Sequence, residues 1–89
     1  MKRIKLAEGV DICIEELPTV HEKQGDKQFD LFQVAAYPCN SLSSMWIASK
    51  FRRSKLWGVY PSPLHGPAWT GTTAEEALLK AVKETLNIN

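Results

Sequence analysis

Acidic residues are missing from half of this 89-residue chain: none occurs between Leu31 and Ala74. Lys50, Arg52, Arg53 and Lys55 stand there unopposed, while segments 1–30 and 75–89 carry −2 and −1. A net charge of +1 therefore hides a local +4, and it is the local field that a partner meets. Other absences exclude whole classes. Two cysteines, Cys13 and Cys39, cannot build the bridge framework of a small secreted domain. Reduced, partly buried thiols are expected, with a single bridge left open because sequence does not place two Cα atoms. No apolar run could span a bilayer, and the opening residues lack the apolar stretch of a secretory leader. A cytoplasmic location without membrane association is the default expectation.

Catalytic and cofactor signals are equally sparse. The five glycines are scattered and form no phosphate-cradling loop. Cys13, His21, Cys39 and His65 have the chemistry of metal ligands, but no C-x-x-C or H-x-x-x-H spacing. Neither cysteine sits in a nucleophile signature, and His65 has no carboxylate near it in sequence. The expectation is a protein that is not an enzyme and uses neither cofactor nor metal.

What is present suits one folded domain over residues 1–89. Hydrophobic residues make up 44% and charged residues 24%, which is ordinary globular usage and argues against disorder. So short a chain buries only roughly 60–65% of its unfolded surface, a shortfall that dimerisation often remedies.

Period-two alternation predicts strands near 2–6, 10–15, 28–37, 45–51 and 55–60. Val10, Ile12 and Ile14 share one face of the second. Both faces of 28–37 are apolar, as in a central strand covered on each side. The polar stretch Thr19–Lys27, with Gly25-Asp26 inside it, reads as a mobile loop. With Arg53-Ser54 as the turn of a second hairpin, Phe51 faces Leu56, Ser49 faces Gly58 and Ile47 faces Tyr60. That face is the core candidate. The other face pairs Arg52 with Lys55, Lys50 with Trp57 and Ala48 with Val59, and a one-residue slip would exchange the two. The run 61–67, with Pro61, Pro63 and Pro67, reads as a stiff loop. Ala68-Trp69-Thr70 reads as a brief strand.

A helix is predicted near 73–87. Thr72-x-x-Glu75 and Thr73-x-x-Glu76 are overlapping capping boxes. Ala74, Ala77, Leu78, Ala81, Val82 and Thr85 make an apolar stripe, while Glu76, Lys80, Lys83 and Asn87 face water. The fold class is thus α+β: an antiparallel sheet of about five strands with one C-terminal helix on one face.

The feature with chemical content is the basic hairpin 50–57. Lys50, Arg52, Arg53 and Lys55, beside Trp57 with Trp46, Tyr60 and Trp69 near, combine phosphate-seeking charge with stacking surface, as in single-strand nucleic-acid binders. The bland reading is that hairpin tips are often basic and tryptophans in a small domain are core. Trp69-Thr70-Gly71-Thr72-Thr73-Ala74-Glu75-Glu76-Ala77 resembles the strand-to-helix junction of the DNA-binding domain in plant ethylene-response transcription factors and phage integrase arms. Phe51–Gly58 resembles that family's basic strands. The resemblance implies a sheet that reads DNA, with Arg52, Arg53, Lys55 and Trp57 at the matching positions. It covers the C-terminal third only, and the three prolines interrupt it. The helix start is also similar to that of HicB-type antitoxins and of small phage proteins of unassigned role. The function expected is a small non-enzymatic binding module of a bacterial or phage accessory kind. Its partner would be a protein or a second copy, and nucleic-acid binding through 50–57 is the alternative.

Overall fold

The structure, a computed structural model, describes residues 2–40, 45–60 and 68–88. Segments 41–44 and 61–67, which carry the expected proline loop and His65, lie outside the described residues. Seven strands and one helix follow in order: β1 (Lys2–Ala7), β2 (Val10–Glu16), β3 (Val20–Gln24), β4 (Lys27–Pro38), β5 (Trp46–Phe51), β6 (Trp57–Val59), β7 (Trp69–Gly71) and α1 (Ala74–Thr85). All strand pairs are antiparallel, in the order β1-β2-β4-β5-β6-β7, with β3 also on β4. The α+β class and the C-terminal helix hold. The described residues form seven strands, not about five.

The extra strands have simple causes. Thr19–Lys27 is a hairpin rather than a mobile loop, because Gly25 takes φ +64° and lets Gln24 turn back onto Lys27 across two residues. Val20–Gln24 shows no apolar alternation because every residue of β3 is exposed. Pro18 separates β2 from β3, yet both lie along the same edge of β4, and Leu17 N–H still donates to Gln33 O at 3.0 Å between them. The brief seventh strand comes where Ala68-Trp69-Thr70 suggested it.

The β2–β4 register also decides the cysteines. Cys13 lies opposite Tyr37, and Cys39 follows two residues later with its N–H on Asp11 O at 3.1 Å. Their Cα atoms are 5.3 Å apart and the two form a disulfide, which corrects the expectation of reduced thiols. A pairing register between distant strands created that proximity, and spacing along the chain does not reveal it.

The hairpin β5–β6 has the expected pairing, Ala48 opposite Val59 and Ser49 opposite Gly58. Its faces are the reverse of those expected. Ala48 and Val59 are buried in the core with Ile12, Ile14, Val34 and Ala36 from the sheet and Ala77, Leu78, Ala81 and Val82 from the helix. Ile47 and Phe51, taken as core candidates, are exposed. Volume decides it: the helix presents alanines and comes close, so small Ala48 and Gly71 fit beneath it. A Cβ added at Gly71 would stand 2.8 Å from Ala77 N and 2.9 Å from Glu76 Cβ.

The helix ends are built by their own residues. Thr73 is the N-cap and its hydroxyl accepts from Glu76 N–H at 3.1 Å, while the Glu76 carboxylate takes both the N–H and the hydroxyl of Thr72 at 2.9 Å. Glu75 instead pairs with Lys2 at 2.7 Å. At the other end Asn87 adopts φ 56°, and the bonds Ile88 N–H to Lys83 O and Asn87 N–H to Glu84 O close a Schellman motif. The helix therefore stops at Thr85, two residues before the expected end. Trp69 donates to Glu84 at 2.6 Å and Trp46 to Thr85 at 3.4 Å, so two tryptophans moor the helix. No helix among the described residues is long and apolar enough to cross a membrane.

Candidate interaction face

Strand alternation fixes which residues stand on the side of the sheet that α1 does not cover. Leu31 lies opposite both Val20 and Phe51, and Ala35 lies opposite Ile47, so these side chains share that face. Phe29 joins them, its ring meeting Phe51 edge to face with centroids 6.3 Å apart. Phe51, Leu56 and Tyr60 are 46%, 53% and 49% exposed, high values for large apolar side chains so close together. Two hollows flank the Phe51 ring. One, of about 380 Å³, runs between Phe51 and Phe29 and is bordered by Glu22, Asp30, Arg52 and Arg53. The other, of about 430 Å³, is lined by Phe51, Leu31, Leu56 and Tyr60. At the far end of the face the Tyr37 hydroxyl donates to Glu15 at 3.2 Å. Burial, and then the Glu15 carboxylate, raise the Tyr37 pKa above the usual phenol value.

The five residues singled out from sequence are placed differently from one another. Lys50 curls into the β5–β6 turn, where its ammonium donates to the carbonyls of Ser54 at 2.8 Å, Phe51 at 3.2 Å and Arg52 at 3.3 Å. It also stands 5.5 Å from the Phe32 ring centroid. Arg52 meets the Asp30 carboxylate through Nε and Nη2, each at 3.0 Å, on the opposite side of the sheet from Phe51. Asp30 also accepts from His21 at 2.7 Å and Gln28 at 3.3 Å. These bonds hold its carboxyl below the usual range, the His21 bond most and Gln28 next, with the charges of His21 and Arg52 adding to them. Trp57 is half-buried against the core cluster on the helix side.

Arg53 and Lys55 differ from the other cations. Both are exposed, and neither has a hydrogen bond or ion pair among the described residues. Arg53 edges the hollow beside Phe51. The hairpin is thus two cations used internally and two held out to solvent.

Sequence reasoning missed Phe29, Leu31, Phe51 and Leu56 as candidates because it assigned their face to the core, and it named Tyr60 only as a stacking surface near the basic hairpin. The available signal was the apolar character of both faces of residues 28–37. With a single helix among the described residues, only one of those faces can be covered by it. Among the described residues no group of three histidines, cysteines or acids is placed to hold a metal ion. Comparison of the chain with protein-family models, curated proteins and solved structures finds no significant match.

Proposed function

We propose that this chain is a small non-enzymatic binding module whose partner is a protein, held on the sheet face that the helix leaves uncovered. One observation carries the reading. Phe51, Leu56 and Tyr60 expose roughly half their surface on one side of the sheet, beside two hollows, while the three tryptophans face the helix. An aromatic and aliphatic cluster with an arginine at its edge has the composition of interface hot spots.

Single-stranded nucleic acid is the second reading. It is favoured by Arg53 bordering the hollow beside the Phe51 ring, with Lys55 exposed in the same turn, since binders of this kind combine open cations with stacking surfaces. Its weakness is arithmetic: Lys50 and Arg52 are engaged by carbonyls and by Asp30, so two phosphate contacts remain. Location bears on both readings. In a cytoplasmic setting Cys13 and Cys39 would be kept as thiols, so the bridge favours an oxidising compartment.

The test is a random-peptide display selection against the whole chain, with every selected clone re-assayed on Phe51→Ser. The reading expects clones that bind the parent chain and lose binding on Phe51→Ser. Clones indifferent to that substitution would overturn it. So would failure to select any clone while an oligodeoxythymidine binds at low salt.

A further inference from the structure

Charge is balanced in the lining of the first Phe51 hollow, where Glu22 and Asp30 stand with Arg52 and Arg53, but not in the second or at the turn, where Lys50 and Lys55 have no acid beside them in sequence. The β5–β6 turn projects Arg53 and Lys55, which no carboxylate answers among the described residues. The hairpin's own strands supply no acid, because none occurs between Leu31 and Ala74. Asp30 is engaged by Arg52, His21 and Gln28. Asp30 and its partner Arg52 offset each other in the first hollow, Glu22 also borders it, and the second has no acidic residue in its lining.

Lys50 shows why the turn holds its cations outward. Its ammonium sits on three turn carbonyls, which occupies the acceptors that Arg53 or Lys55 could otherwise fold back onto. The turn backbone is stiffened from within, and its two remaining cations are exposed, Arg53 at the edge of the first hollow.

We propose that the face takes an acidic, apolar segment of a protein partner. Apolar side chains would seat in the hollows on either side of the Phe51 ring, and a carboxylate on the segment would meet Arg53 and Lys55. The inference rests on the reading of the face as a protein-binding surface and adds the partner's chemistry to it. Charge complementarity selects this occupant: an apolar segment with basic flanks would bring like charges together at the turn, which interfaces avoid. Arg53 is the primary contact, since its planar fork can meet a carboxylate bidentately, and Lys55 supplies a second, less directional charge.

The experiment is a display selection of random peptides on the intact chain, run in parallel on the charge-reversed double variant Arg53→Glu/Lys55→Glu. Both positions are exposed in a turn, so the variant should fold; a thermal melt checks this. Peptides selected on the parent chain should combine aromatic or aliphatic residues with Asp or Glu. They should bind the double variant at least about tenfold more weakly, the size of one lost charge-assisted hydrogen bond. The charge-reversed chain should instead select peptides in which Lys or Arg replaces the acid. If the selected peptides are apolar without acidic enrichment, or identical for the two chains, the partner chemistry is wrong. The face reading still stands in that case, provided Phe51→Ser abolishes binding. If binding survives Phe51→Ser, the face reading itself fails. Two further results would overturn the proposal: salt-sensitive binding of an oligodeoxythymidine in place of peptides, or a dimer of the chain that Phe51→Ser dissociates.

Discussion

The Phe29 and Phe51 rings meet edge to face at 6.3 Å on the side of the sheet away from the helix. The pair belongs to neighbouring strands: Phe51 lies opposite Leu31, and Phe29 stands two residues before Leu31. It shapes a surface rather than a core, and the first prediction follows from that difference.

Leu78 is fully buried beneath the sheet, and Leu78→Ala should cost about 2–4 kcal/mol. Phe51→Ala, on the open face, should cost about 1 kcal/mol or less. Urea unfolding of both variants gives the comparison. Equal losses would place Phe51 in a core and remove the face.

The disulfide closes a loop across a sequence separation of 26. Reduction should lower stability by about 3–4 kcal/mol, as chain entropy predicts for a loop of that length. Native protein should resist alkylation until reduced, and its denaturation midpoint should then drop. Two thiols titrating in untreated native protein would contradict the bridge.

At the helix start, Thr73→Ala should cost about 1 kcal/mol, because the hydroxyl accepts the Glu76 N–H. Thr72→Ala should cost less, since the Glu76 carboxylate keeps the Thr72 N–H when the hydroxyl is gone. The order of the two midpoints is the readout, and a reversed order would refute this cap.

Asp30 predicts a pH dependence with a definite sign. Hydrogen bonds from His21 and Gln28 hold its folded pKa below the ordinary 3.8. The stability it contributes is complete above that value and is lost as pH falls through the folded one. Glu76 is lowered in the same sense, chiefly by the Thr72 N–H and then its hydroxyl. Asp30→Asn should therefore flatten part of the acid limb of a stability–pH profile and leave the Glu76 part. An unchanged slope would show that Asp30 titrates alike in both states.

How far the sequence carried this picture differs by element. The helix was legible because its caps and stripe are local: Thr73, Glu76 and the alanine row are all within two turns. The β5–β6 pairing was legible too, since Ser49 opposite Gly58 follows from a short turn. Which face it buried was not, because that depends on whether Ala48 or Phe51 fits beneath the helix. The β3 strand was hidden because it is wholly exposed and has no apolar rhythm, although Gly25-Asp26 was its hairpin signal. Arg52 looked like an open cation because Asp30, 22 residues earlier, meets it only across the β4–β5 ladder.

The central claim is that one sheet face is core and the other a binding surface. Side-chain NMR of the chain with a peptide selected on it tests this most directly. Resonances of Phe29, Leu31, Phe51, Leu56 and Tyr60 should shift on binding, while those of Leu78 and Val82 stay in place. Shifts centred on the helix, or spread without regard to face, would contradict it.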